Sequence, residues 1–165
     1  MKLGNVLFLE DKPFIALDME QILKSFGASS VTSFDRRAEL GHTDTSHTTA
    51  LHVPSIGLVI SGDGVYNNTH LYLAECDEAA RAGWLHALDI IESLEPKAVV
   101  AGHGVLDPDS SPRHIAETRQ YLQDFAATIP VTKTVMEFYE KMLCLYPNRV
   151  NPGSLWAAAK AVKPS

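Results

Sequence analysis

The 165-residue chain lacks several features that would place it in a specialised class of proteins. Its two cysteines, Cys76 and Cys144, lie in unrelated contexts without Cys-x-x-Cys spacing, so neither a disulfide scaffold nor a zinc finger is expected. No run of about 18 apolar residues occurs, so no membrane partner is expected. Basic residues number 14 against 20 acidic ones, and the net charge of −6 argues against a nucleic-acid partner.

The remaining composition is that of an ordinary globular protein. Hydrophobic residues make up 45% of the chain and charged residues 21%, which is enough apolar material for a real core. The N-terminus reaches acidic residues by Glu10 and has no small-residue cleavage site, so we do not expect a secretory signal there. We therefore expect a cytoplasmic protein.

The first 34 residues have the pattern of a βαβ unit. Residues 5 to 9 and 30 to 34 are short apolar or β-branched segments typical of strands. Between them, Pro13 suits a helix start and Gly27 a helix stop, with apolar residues at roughly helical spacing in the interval. The pattern predicts a strand, a helix and a second strand.

The rest of the chain alternates short strands and longer helices after a polar stretch. Residues 35 to 39 form a polar patch, and residues 41 to 49 a polar loop with two histidines. Apolar segments predict strands at 50–53, 56–61 and 98–101. Helical periodicity predicts helices at about 77–94, 110–127 and 132–145, with a short last one opening near residue 151. The fold class is therefore expected to be α/β.

Three candidate metal ligands follow or flank strand ends in glycine-rich loops. They are His42, Asp63 and His103. A neighbouring glycine lets the backbone turn sharply and leaves room for a metal or a substrate. Imidazole and carboxylate are common ligands of zinc, and of manganese or iron where oxygen predominates. By pattern alone, surface residues in turns are an equally acceptable interpretation.

The segments around these residues resemble the second half of the metallo-β-lactamase (MBL) fold superfamily. The resemblance covers about residues 40–165 and rests on GHTDT at 41–45, VP at 53–54, LVISGD at 58–63 and VVAGHG at 99–104. It implies metal-dependent hydrolysis of an ester, thioester, amide or phosphate in a small-molecule substrate. By the same resemblance, His42, Asp63 and His103 would be metal ligands, with zinc as the cofactor and manganese or iron as alternatives.

The chain departs from that superfamily in its first half. The His-x-His-x-Asp-His motif, which supplies most of the metal ligands, is missing, and the first histidine is His42. We therefore expect an incomplete MBL-like fold of αβ/βα layers with weak or absent hydrolase activity. Half of such a fold would leave apolar sheet surface uncovered, so we also expect a homodimer or poor solubility unless residues 1–38 cover that surface.

The N-terminal segment resembles the start of a response-regulator receiver domain over residues 4–38. The resemblance rests on VLFLEDKP at 6–13 and FGA at 26–28, and it implies a magnesium site at Glu10 and Asp11. Two polar residues ending a strand are the simpler alternative. The chain is thus expected to comprise a receiver-like βαβ segment, 1–38, and an MBL-like domain, 40–165, as a fused or rearranged gene product. A non-catalytic receiver-like signalling or interaction module is the alternative function, and a gene fragment without function is a third.

A few other residues have expected environments. His70 and His114 are predicted to lie at the surface, and Trp84 in the core. Asp44 is expected either to orient His42 or to cap a turn.

Overall fold

The computed structural model of the chain describes residues 5–9, 30–34, 37–54, 56–105 and 110–163. The chain divides into two compact units, Met1–Arg37 and Ala38–Ser165. Within the described ranges, no helix combines the length and the apolar character needed to cross a bilayer.

The first unit contains a pair of parallel strands. Strand β1 is Asn5–Leu9 and strand β2 is Ser30–Phe34, paired in register along their full length. Both strands were predicted at these bounds and are confirmed. Parallel neighbours need a crossover connection. The predicted helix between them, Glu10 and Asp11 all lie outside the described residues.

The described residues from Arg37 onward contain a four-stranded sheet and a small two-stranded one. The strands are β3 (Arg37–Gly41), β4 (Thr48–Val53), β5 (Leu58–Ile60), β6 (Tyr66–Asn67), β7 (Ala98–Val100) and β8 (His103–Gly104). The larger sheet has the order β3-β4-β5-β7, with β4 antiparallel to β5 and β5 parallel to β7. Strands β6 and β8 pair in parallel. The parallel pairing of β5 and β7 places their C-terminal ends at the same edge.

The described residues of the second unit contain four helices in the predicted order. They are α1 (Glu78–Ser93), α2 (Arg113–Thr128), α3 (Val135–Leu145) and α4 (Pro152–Val162). The Asp77 side chain caps α1 by accepting from the Ala80 backbone N–H at 2.8 Å. The Thr134 side chain caps α3 in the same way, accepting from the Glu137 N–H at 3.2 Å. Such caps satisfy backbone donors that a helix start leaves open.

The core lies between the sheet and the apolar faces of the helices. Trp84, Leu88 and Ile91 of α1 are fully buried, and the middle strands contribute Val59 and Val99. Each such side chain contributes roughly 1.5–3 kcal/mol of hydrophobic free energy when fully buried. The core position predicted for Trp84 is confirmed, and this packing holds the sheet edge in place.

The segment that follows β6 is attached to the C-terminal part of the chain. The His70 N–H donates to the Val150 carbonyl at 3.0 Å, and the Val150 N–H donates to the Asn68 carbonyl at 3.0 Å. The Arg149 guanidinium donates to the Thr69 carbonyl at 2.8 Å. It also lies over the ring of Tyr121, 4.7 Å from the centroid. Two distant parts of the sequence are thereby joined.

The surface positions predicted for two histidines are wrong. His70 is fully buried, with Nδ1 2.9 Å from the Tyr121 hydroxyl. His114 is 1% exposed, with Nδ1 2.9 Å from a Glu117 carboxylate oxygen. A polar partner replaces water at Nδ1 of each histidine, whereas His70 Nε2 is buried and has no hydrogen-bond partner.

Candidate metal centre

The candidate centre lies at the sheet edge where β5 and β7 end. Asp63 stands in the short 3₁₀ turn Gly62–Gly64 that follows β5, and His103 opens β8 shortly after β7. The two chain segments are joined by backbone hydrogen bonds, from the Ser61 N–H to the Val100 carbonyl and from the Gly102 N–H to the Gly62 carbonyl, each 3.0 Å long. The parallel strand pairing thus continues into the loops that carry the two side chains.

The close approach of these loops depends on a glycine. A Cβ atom at Gly102 would lie 2.3 Å from the Gly62 carbonyl oxygen and 2.5 Å from its carbon. Those distances are far below any van der Waals contact, so only glycine allows this backbone packing. The packing brings His103 and Asp63 side by side.

Three potential ligand atoms converge at this edge. One atom each from Asp44, Asp63 and His103 lies within 4.8 Å of the other two. His103 Nε2 is 2.8 Å from Asp63 Oδ1. Asp44 is only 5% exposed, whereas the Asp63 and His103 side chains are 44% and 51% exposed. The group therefore has a buried carboxylate at its base and two half-exposed donors open to solvent.

Both carboxylate oxygens of Asp44 accept hydrogen bonds, Oδ1 from the Thr43 hydroxyl at 3.4 Å. Its Oδ2 accepts a 2.7 Å hydrogen bond from the Tyr66 hydroxyl. The buried Cys76 thiol donates to the carbonyl of the neighbouring Thr43 at 3.1 Å. Burial raises the pKa of the Tyr66 hydroxyl, and the hydrogen bond to Asp44 raises it further. Burial, with the Asp44 charge nearby, raises the pKa of Cys76 to about 12. Both groups therefore keep their protons and remain donors.

His42 lies in the same loop as Asp44 but outside the converging group. Its Nε2 atom is buried, and the structure gives it no hydrogen-bond partner. A buried polar atom without a partner is costly and calls for a ligand, a water or a rearrangement. Asp63 and His103 are thus brought together as the sequence suggested, while the role of His42 as a ligand stays a prediction.

The converging atoms fit a metal ion. Ligand atoms bound to one ion at about 2.0–2.2 Å lie roughly 3.3–4.3 Å apart. The observed spread of up to 4.8 Å needs only a small inward movement, and the unpartnered His42 nitrogen offers one more donor close by in the sequence. Two carboxylates and an imidazole suit zinc, and also manganese or iron, which accept oxygen-rich sites.

The sequence does not predict the roles of two residues in this centre, Asp44 and Tyr66. The sequence predicts Asp44 only as a support for His42 or as a turn cap, although Asp44 stands two residues after His42 in one loop. No pattern in the sequence pointed to Tyr66, because its role comes from the pairing of β6 with β8.

A cavity of about 240 Å³ adjoins the His103 loop. Its described lining includes Asn67, Val100, His103, Ser110 and His114. The mixture of apolar walls and a few polar groups is typical of small-molecule sites, although this one is smaller than most. It offers space for a small group next to the half-exposed His103.

Comparison with solved structures identifies the fold. A metallo-beta-lactamase family protein from Thermus thermophilus matches with a TM-score of 0.54 at 20% identity, over 77% of this chain and 42% of that one. A metallo-beta-lactamase from Pontibacter korlensis matches with a TM-score of 0.43 at 18% identity, over 73% of this chain and 58% of that one. No model of a protein family and no curated protein matches the chain.

The chain thus spans less than half the length of the Thermus protein. The likeness supports the predicted MBL fold, and none of these matches supports the receiver-like interpretation of the N-terminal segment. The mixed arrangement of sheets and four helices in the described residues is therefore that of an MBL-type α/β fold.

Proposed function

We propose that residues 38–165 form a metal-binding domain whose chemistry is metal-dependent hydrolysis. The observation that carries the proposal is the convergence of Asp44, Asp63 and His103 at one sheet edge of an MBL-type fold. Zinc is the first candidate ion, with manganese and iron as alternatives. The substrate class is an ester, thioester, amide or phosphate of a small molecule.

Each residue has a separate task in this proposal. Asp44, buried and hydrogen-bonded, supplies a fixed negative charge at the base of the site. Asp63 and His103 supply the two outer donors and leave the solvent side open. His42 is the proposed fourth donor, because it stands two residues before Asp44 in the same loop and its buried Nε2 has no hydrogen-bond partner. A metal bound there would lower the pKa of a coordinated water and so provide a nucleophile.

We also propose that turnover is slow. The sequence has no His-x-His-x-Asp-His motif, so few protein ligands remain to hold a metal rigidly. Changes to groups that support a metal site typically reduce affinity or activity 10–100-fold each. Several missing groups should therefore reduce the rate severely, to below about one turnover per second.

The test is direct metal binding by the full chain. Protein freed of metal with a chelator would be titrated with Zn²⁺, Mn²⁺ and Fe²⁺ in turn, and we expect one ion to bind per chain. His103→Ala and Asp63→Asn should each weaken binding at least 10-fold. The matched controls are His86→Ala on α1 and Glu140→Gln on α3, whose side chains are exposed outside the group; these should bind as the wild type does.

Failure of the wild-type chain to bind any of these ions saturably would overturn the proposal. Equal binding by His103→Ala and the wild type would overturn this choice of ligands. The His42→Ala variant separately tests the fourth donor, and we expect a loss of affinity similar to that of Asp63→Asn. A screen of ester and phosphate substrates would test the chemistry, since His103→Ala should abolish whatever turnover the wild type has.

A further inference from the structure

We infer that Tyr66 is the positioning residue of the metal centre, fixing Asp44 through its hydroxyl and His103 through its ring; this inference rests on the proposed metal site. The Tyr66 hydroxyl donates to Asp44 Oδ2 at 2.7 Å. The same side chain packs on the His103 ring, with the centroids 4.8 Å apart and the planes at 35°. One residue thus contacts two of the three converging groups.

The position of Tyr66 beside His103 follows from strand pairing. Tyr66 and His103 are direct partners in the parallel pairing of β6 with β8. Partners on adjacent strands project to the same side of a sheet, which brings their side chains into contact. The pairing register of the two strands therefore places the Tyr66 and His103 rings next to each other.

Tyr66 itself is held so that it cannot swing away. Its backbone N–H donates to the Thr118 hydroxyl of α2 at 3.1 Å. Its ring meets the edge of Trp84, with centroids 5.7 Å apart. Trp84 is in turn fixed by a 2.9 Å hydrogen bond from its indole N–H to the Gly64 carbonyl, within the turn that carries Asp63.

A direct catalytic role for Tyr66 does not fit its surroundings. The residue is 3% exposed, and its hydroxyl already donates its hydrogen bond to Asp44. Buried partners of this kind orient a metal-binding carboxylate, as do the outer groups of other metal sites. Tyr66 therefore acts on a metal through Asp44 and His103.

Tyr66→Phe isolates this role, because it removes the hydroxyl and keeps the ring on His103. The matched control is Tyr146→Phe, which removes another tyrosine hydroxyl that donates to an aspartate, Asp124, at 2.5 Å. Tyr146 lies at the end of α3, and neither it nor Asp124 belongs to the converging group. The two variants remove the same chemical contact, one beside the proposed site and one outside it.

The measurements are Zn²⁺ affinity and the visible absorption of the Co²⁺-loaded full chain. We expect Tyr66→Phe to bind Zn²⁺ about 10–100-fold more weakly, and to show an altered Co²⁺ band because Asp44 is no longer oriented. Tyr146→Phe should match the wild type in both. A purely structural role would lower the melting temperature of Tyr66→Phe and leave the spectrum of the bound ion unchanged.

The possible failures are distinguishable. If the wild type binds metal and Tyr66→Phe binds it equally well with the same Co²⁺ spectrum, the role of Tyr66 is overturned while the metal site stands. If Tyr146→Phe loses as much affinity as Tyr66→Phe, the positioning role is likewise overturned. If the wild type binds neither ion, the metal site fails, and the inference fails with it.

Discussion

Replacing Gly102 with alanine should push apart the two loops that carry Asp63 and His103. The added Cβ would lie 2.3 Å from the Gly62 carbonyl oxygen, whereas ordinary contact begins near 3.4 Å. The two backbones must therefore separate by about 1 Å. The position of a Cβ is fixed by its own backbone, and the atoms it would meet are backbone atoms of Gly62. No side-chain rotation can therefore relieve the clash.

The expected cost can be estimated from overpacking elsewhere. Forcing extra carbon atoms into well-packed sites typically destabilises a protein by about 1–3 kcal/mol. For a chain of this size each kcal/mol corresponds to a melting temperature change of roughly 2–4 °C. Gly102→Ala should therefore melt roughly 2–12 °C lower than the wild type. The separation also disrupts the 2.8 Å contact of His103 with Asp63, so Zn²⁺ affinity should fall with it.

Gly83→Ala is the matched control, because it makes the same chemical change inside helix α1. A Cβ there would meet the backbone oxygen of His42 at 3.6 Å, an ordinary contact. Alanine is favoured over glycine within helices by roughly 0.5–1 kcal/mol, so this variant should be slightly more stable than the wild type. The test is to compare the melting temperatures of Gly102→Ala, Gly83→Ala and the wild type. Equal stability of Gly102→Ala and the wild type, or a similar loss in Gly83→Ala, would refute the reasoning.

Three further predictions concern other parts of the molecule. Burial, with Arg149 nearby, lowers the pKa of His70 to about 4. Between pH values of about 4 and 6.5, His70 is therefore less protonated in the folded chain than in the unfolded one. The free energy of unfolding should consequently fall as the pH drops through this window, by up to about 1.4 kcal/mol per pH unit. Denaturant melts of the wild type and His70→Asn at several pH values would test this dependence. Identical pH profiles of the two proteins would argue against it. Cys144 is exposed and Cys76 buried with its pKa raised to about 12, so a thiol reagent should label one cysteine quickly and the other only on unfolding; rapid labelling of Cys144→Ser would contradict this. Val100, on edge strand β7, is 39% exposed, and we expect self-association in light scattering, whereas a single monomer at high concentration would count against a homodimer.

The regular elements were predictable because their signals are local. The helix now seen as α1 was predicted over about 77–94 from apolar residues at helical spacing, and it spans Glu78–Ser93. Strand β7 was predicted as a short apolar run before Gly102, and it ends within one residue of that prediction. Each of these patterns lies within a single stretch of sequence, so no knowledge of distant contacts was needed.

The elements that were missed depend on partners far away in the sequence. Strand β3 covers part of a polar patch and forms because β4 lies beside it. His70 lies in a polar stretch typical of a loop, yet it is buried with Nδ1 hydrogen-bonded to Tyr121, 51 positions later in the chain. Asp44 joined the candidate centre for the same reason, since its burial depends on a hydroxyl that β6 places beside it.

The attachment of the segment after β6 to Arg149 and Val150 has a consequence for the order in which the chain assembles. These contacts join residues 80 or more positions apart. Bringing distant residues together lowers the chain entropy before their contacts stabilise the structure, so such pairings tend to form late. During synthesis the segment next to Tyr66 lacks these partners until residue 150 has emerged. We therefore expect the contacts between residues 68–70 and residues 149–150 to be among the last of the unit to form.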